Sequence, residues 1–262
     1  MSRFPIACQT ITFGPNQNER FPEIFGAIRE AGYTGVEIGY RHLVGISPDD
    51  LRVSLSGSGL CLTATHVNGD LFETGESGRA LIDDVIDYVH TAGGKRILYS
   101  GLQWESADQF ARDFEMVNTA ARKCAEQETQ LCYHNHDHEL REIPVSDAAE
   151  GRTLFDVIID ASTPELRFCP DVGWIHKGGV DIPGLLDRVR DRLSAIHYKD
   201  FATLDPVVDT VPLGTGCVPL KTVTTWLRKN IRGIWVIAEQ DIARVSPEDA
   251  VRRNASYLRK SF

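Results

Sequence analysis

Short apolar runs alternate along this chain with longer stretches whose apolar residues recur at helical spacing. The first short run covers residues 5–11. Residues 21–31 follow as a helix, with Ile24, Phe25 and Ile28 on one face and Gly32 as the stop signal. A second strand is predicted over 35–38. Ser47-Pro48-Asp49-Asp50 then opens a helix, because serine caps, proline tolerates the first turn and acids suit its positive end. A third strand covers 60–67, a helix 77–92, a fourth strand 95–99 and a long helix 106–128. The fifth strand is predicted over 130–136, with a short helix over 153–161, and the sixth over 166–172. Helix 182–192 leads to a seventh strand over 193–198. Helix 220–229 leads to an eighth over 234–239, and Ser246 caps a last helix that runs to about Arg259.

Strict alternation of strand and helix predicts a parallel sheet. Eight such units fit the ~250 residues of a (β/α)8 barrel. The expected architecture is therefore α/β, a single (β/α)8 TIM barrel formed as one domain by residues 1–262. The rival, an open doubly wound sheet, calls for a glycine-rich phosphate loop after an early strand, and the chain has no GxGxxG or P-loop pattern. The stretches 140–152 and 200–219 are the longer connections, and both follow strands, which puts them on the active face of a barrel.

Charge and cysteine usage narrow the setting. Lys and Arg total 28 against 37 Asp and Glu, for a net charge of −9, which argues against a nucleic-acid partner. No apolar run approaches the ~20 residues of a membrane span, and Met1-Ser2-Arg3-Phe4-Pro5 has no apolar leader core. Of the six cysteines, Cys8, Cys61, Cys132 and Cys169 lie inside apolar strand candidates and no CxxC occurs, so a reducing, cytoplasmic location is expected. Homo-oligomerisation is compatible with the chain.

The candidate chemistry centres on Tyr133-His134-Asn135-His136-Asp137-His138-Glu139, where three histidines and two acids follow an apolar lead-in. Side chains of this kind are costly to bury unless paired or metal-bound. Polar residues also end the other predicted strands: Glu37, His66, Asp171, His197-Tyr198-Lys199-Asp200 and Glu239. Among them Glu139, Asp171, His197 and Glu239 make a coherent set of metal ligands, three carboxylates and one imidazole. The set suits Mn²⁺ foremost, with Mg²⁺, Co²⁺ or Zn²⁺ also fitting. The alternative is a group of ion pairs at the barrel mouth. Because strand side chains alternate, Glu139 turns inward only if the fifth strand ends or bulges near His136.

His134 and His136 are candidates for acid/base work or substrate contact, the alternative being a supporting hydrogen bond. His138 and Asp137 read as loop residues. Glu37 and His66 either contact substrate or are satisfied core groups. Lys199 could reach a substrate oxygen or pair with a neighbouring acid. Trp174 and His176 are expected to line a cleft, and Gln9 is a weaker polar candidate.

The chain resembles the xylose isomerase-like barrel superfamily, in its sugar phosphate isomerase/epimerase branch. The resemblance rests on Tyr133-His134-Asn135-His136 with Glu139, Pro170-Asp171-Val172-Gly173-Trp174 with Gly178-Gly179-Val180-Asp181, Ile196-His197-Tyr198-Lys199-Asp200, Pro212-Leu213-Gly214-Thr215-Gly216 and Ala238-Glu239. Gly35-Val36-Glu37 also fits. It implies one divalent metal ion on Glu139, Asp171, His197 and Glu239. It also implies a small polyhydroxylated carbonyl substrate: a ketose, keto-sugar or keto-cyclitol. The expected reaction is isomerisation or epimerisation by proton abstraction next to a metal-bound carbonyl, through an enediolate, with Glu139, Glu239, His136 and His134 as catalytic residues. The same first step followed by β-elimination gives a dehydratase or lyase, of the inosose dehydratase-like or keto-glycoside-cleaving kind. The superfamily's DNA-repair endonucleases use three zinc ions and further histidines, where this chain has Trp174 and Tyr99-Ser100, so a nuclease is disfavoured. A metal-free sugar-binding subunit is the remaining alternative, disfavoured by the intact ligands.

Overall fold

The short apolar runs become eight parallel strands in the computed structural model, which describes residues 4–69, 77–143, 151–204 and 209–262. They are β1 (Ile6–Gln9), β2 (Gly35–Gly39), β3 (Cys61–Val67), β4 (Arg96–Tyr99), β5 (Gln130–Tyr133), β6 (Arg167–Phe168), β7 (Ala195–Tyr198) and β8 (Trp235–Ala238). The helices are α1 (Phe21–Ala31), α2 (Pro48–Gly57), α3 (Leu81–Thr91), α4 (Ala107–Glu126), α5 (Leu154–Ala161), α6 (Val172–Lys177), α7 (Ile182–Val189), α8 (Leu220–Asn230) and α9 (Pro247–Ser261). The sheet order is β6-β5-β4-β3-β2-β1-β8-β7. Between β6 and β7 the ring is joined by the isolated parallel bridges Phe168↔Leu193 and Asp171↔His197. Two backbone bonds cross there, Ser194 N–H to Phe168 O and His197 N–H to Pro170 O, both 3.0 Å. The result is the expected (β/α)8 barrel, nearly closed.

Several boundaries depart from expectation, each for a local reason. The third helix begins at Leu81 rather than 77, because Ala80 is still extended. β5 ends at Tyr133, three residues short of the predicted end. β6 is only two residues long: Pro170 has no N–H to give a ladder, and Asp171 turns the chain by capping α6. Two helices therefore follow β6, where one was predicted. Of the two long connections, 144–150 and 205–208 lie outside the described residues. All six cysteines are free; Cys8, Cys132 and Cys169 are buried, whereas Cys61 is exposed at the start of β3.

Side-chain alternation sorts each strand into two faces. The outer face packs on the helices in the main apolar cluster, with Val36, Ile97, Tyr133, Phe168, Ile196 and Val236 against residues such as Phe25, Val85 and Phe155. Each such large side chain contributes roughly 1.5–3 kcal/mol on burial. The inner face holds a separate cluster of mostly small residues: Ala7, Ala64, Leu98, Cys132, Cys169, Ala195 and Ile237. This plug closes the barrel axis. Two positions further along each of these strands, on the same face, stand Gln9, His66, Ser100, His134, Asp171, His197 and Glu239. The polar layer thus lies directly on the plug, at the C-terminal ends of the strands. Among the described residues, no helix is long and apolar enough to cross a membrane.

Candidate active site and metal centre

Asp171 and His197 sit at the junction of β6 and β7. One Asp171 oxygen, Oδ1, caps α6 by accepting the N–H groups of Gly173 (2.8 Å) and Trp174 (3.1 Å). The other, Oδ2, is buried without a hydrogen bond. Burial raises the Asp171 carboxyl to about 7. His197 lies between two carboxylates: its Nδ1 is 2.5 Å from Glu239 Oε2 and its Nε2 2.7 Å from Glu37 Oε2. Burial opposes the charged imidazolium, but Glu37 and Glu239 outweigh it and hold the His197 pKa well above the ordinary value. Burial likewise pushes the Glu239 carboxyl up, but Lys199 and His197 bring it well below the usual range.

The ligand atoms of His134, Asp171, His197 and Glu239 all lie within 4.8 Å of one another, and all four residues are buried. The His134 ring is 4.5 Å from that of His197, centroid to centroid, and its Nδ1 has no hydrogen bond. Burial, and then His197 and His66, push its pKa well below the ordinary value, so the ring is neutral and can act as a ligand. Two unsatisfied buried atoms within a compact group of oxygens and imidazoles fit a divalent cation. Cys169 also comes within 4.8 Å of His134 and His197, but burial raises its thiol pKa and keeps it neutral.

The structure divides the predicted ligand set. Asp171, His197 and Glu239 come together, but Glu139 does not join them. It groups instead with His136 and His138. After β5 ends, the chain makes a 3-10 turn over His138–Leu140, which holds Glu139. There its carboxylate accepts from the Tyr133 hydroxyl and from the His136 backbone N–H, both at 2.8 Å. His134 is the fourth member of the group. Its N–H still bonds Tyr99 O at 2.9 Å, so the strand alternation continues one residue past β5 and turns the imidazole inward. Asn135 latches the neighbouring segment, its Oδ1 accepting the Asp171 N–H at 3.1 Å.

Above the group opens a cavity of about 540 Å³. Gln9, His66, His136, Trp174, Lys199 and Glu239 line it, and so do Ser100 and four residues that sequence reasoning did not single out, Tyr40, Arg41, Asn68 and Asp241. Gln9 is partly committed elsewhere, its side chain capping the N–H of Ile11. His66 Nε2 is 2.9 Å from Ser100 Oγ. His136 is partly buried; burial and the nearby Lys199 lower its pKa to about 4. His176 is not among the lining residues. Glu37 is not either: it lies fully buried beneath His197 and orients that ring. Asp241 is recognisable only in retrospect, two positions beyond Glu239 on the same face of the chain.

Asp200, next to Lys199, is fully buried and faces the loop instead of the cavity. Its carboxylate accepts four backbone N–H groups, from Phe201 and Val218 at 3.0 Å and from Gly214 and Gly216 at 2.9 Å. The Pro212–Gly216 motif is the seat of this carboxylate.

Comparison with known proteins agrees with the fold. The chain is 25% identical to an inosose dehydratase from Geobacillus kaustophilus over a 279-residue alignment that covers 90% of this chain and 85% of the relative. A sugar phosphate isomerase/epimerase from Parabacteroides distasonis superposes with a TM-score of 0.79 at 20% identity, covering 98% of this chain and 94% of that one. The IOLI protein with a zinc atom bound gives a TM-score of 0.76 at 14% identity, covering 98% of each chain. The sequence profile of one family matches residues 25–261, nearly the whole barrel, and the chain belongs to that family, the xylose isomerase-like TIM barrels.

Proposed function

We propose that the protein is a divalent-metal-dependent isomerase or epimerase of a ketose, keto-sugar or keto-cyclitol. The observation that carries this reading is the compact buried group of His134, Asp171, His197 and Glu239 at the floor of a polar cavity. These four residues would hold the ion once the His197 imidazolium has released its Nδ1 proton, with Glu37 orienting the ring through Nε2, as carboxylates do for ligating histidines. Two nitrogens and two oxygens suit Mn²⁺, Co²⁺ or Zn²⁺ better than Mg²⁺. When bound, the ion supplies Lewis-acid polarisation of a substrate carbonyl.

The side chains supply the rest. Glu239 and His136 stand on the cavity wall and can remove and return a proton at the carbon next to the carbonyl. The Lys199 ammonium faces negative charge that develops on oxygen. His66, Asn68 and Ser100 offer hydrogen bonds to hydroxyl groups, and Trp174 an apolar face to a sugar ring. Return of the proton at the neighbouring carbon isomerises, and return on the opposite face epimerises. Loss of a β-hydroxyl instead makes a dehydratase, a second reading favoured by the likeness to an inosose dehydratase.

The test is a panel of ketoses, keto-sugars and keto-cyclitols incubated in D₂O with Mn²⁺ and followed by NMR. Deuterium should enter beside the carbonyl, and the product then separates isomer, epimer and enone. Turnover without deuterium uptake, or none across the panel, would count against the proposal. The ligand set has its own test. His134→Ala should weaken Mn²⁺ binding by roughly 10²-fold or more, while Glu139→Gln leaves it close to wild type in equilibrium titrations. The reverse order would return Glu139 to the set.

A further inference from the structure

Lys199 lines the cavity yet is almost completely buried, and three carboxylates surround its ammonium. Its Nζ lies 2.9 Å from Asp241 Oδ2, 3.3 Å from Glu239 Oε1 and 3.5 Å from Asp171 Oδ2. It also stands 4.7 Å over the Trp174 ring. The backbone leaves it little choice of position: a Cβ added at Gly173 would meet Lys199 Cβ at 2.9 Å and its carbonyl oxygen at 3.0 Å. Two of its three carboxylates, Asp171 and Glu239, belong to the group proposed to hold the divalent ion. The third, Asp241, does not, and its side chain is about one-third exposed.

A buried carboxylate cluster without a cation is strongly destabilised by desolvation and mutual repulsion. Lys199 answers this with a charge that cannot diffuse away. It also stands against oxygens that an arriving metal ion would use, so ammonium and metal compete for Asp171 and Glu239. We infer that Lys199 is a tethered counter-cation, which holds Asp171 and Glu239 together before the metal binds and keeps only its Asp241 contact when the metal takes them over. The inference rests on the reading of Asp171 and Glu239 as metal ligands. It assigns Lys199 and Asp241 opposite effects on metal affinity. A lysine that only contacts substrate would have none.

The experiment uses the full chain stripped of metal by a chelator. Mn²⁺ affinity is measured by calorimetric titration, and thermal stability with and without Mn²⁺, for wild type, Lys199→Gln and Asp241→Asn. Lys199→Gln should bind Mn²⁺ roughly tenfold more tightly, melt lower without metal, and gain more from its addition. Asp241→Asn, a change at a partly exposed site, should bind Mn²⁺ more weakly than wild type. A Lys199→Gln protein that folds only with Mn²⁺ would support the inference, and if it folds in neither condition Asp241→Asn decides. If wild type binds Mn²⁺ and the variants match it, the counter-cation role is wrong while the ligand group stands. If wild type binds no Mn²⁺, the ligand group itself is wrong and the inference falls with it.

Discussion

Glu239→Gln should lower turnover by roughly 10³-fold while the barrel stays folded. Glutamine keeps the shape of the side chain and its carbonyl can still accept a hydrogen bond from His197. It loses the charge that faces both Lys199 and His197, at 3.3 and 2.5 Å, along with the ability to take up a proton. The backbone around it is held independently, by the bond from its own N–H to Tyr198 O at 3.0 Å. Deuterium uptake by the substrate found in the panel measures the loss, and circular dichroism reports the fold. Near-normal exchange in a folded Glu239→Gln protein would place the chemistry on other residues.

The second large effect is on stability. Asp200→Ala removes the acceptor of four backbone N–H groups at once and leaves those of Phe201 and Val218 buried. Bonds to a charged acceptor are each worth about 1.5–3 kcal/mol, and partial rehydration of the loop offsets part of the sum, so a net loss of about 3 kcal/mol is expected. For a chain of this size that lowers Tm by roughly 6–12 °C. The loop has little room to tighten in compensation, because Gly216 already touches the chain: a Cβ there would fall 2.2 Å from Phe201 O. The damage should spread to β8 and α9, since Leu213 N–H bonds Asn254 Oδ1 at 2.8 Å and Asn254 in turn bonds Gln240. Scanning calorimetry checks the value. A change of less than about 2 °C would mean that water replaces the carboxylate without cost.

Much of this was legible from the chain. Periodicity located all eight strands, because parallel barrel strands are short, apolar and separated by amphipathic helices. It failed at ends where a side chain outcompetes the ladder. Asp171 caps a helix and so stops β6. The ligand set shows the same limit. Residue type and the family resemblance point to Glu139, whereas the spacing along the inner face points to His134. His134 stands two residues past Cys132 as Asp171 does past Cys169, His197 past Ala195 and Glu239 past Ile237. That regularity is visible in the sequence once the inner plug is known, and not before. The pairing of Glu37 with His197 had no local signal at all, because 160 positions separate them.

The junction of β6 and β7 has a mechanical side. Every other neighbouring pair in the ring shares a ladder, whereas these two meet through single bridges at Phe168↔Leu193 and Asp171↔His197. The hoop is thus weakest where two of the proposed ligands face each other. A cation held by Asp171 and His197 would work as a clasp on that hoop, adding a tie beside the two bridges and raising the cost of springing them apart. Loading the site and locking the barrel become one event, so the empty protein should breathe along this single line.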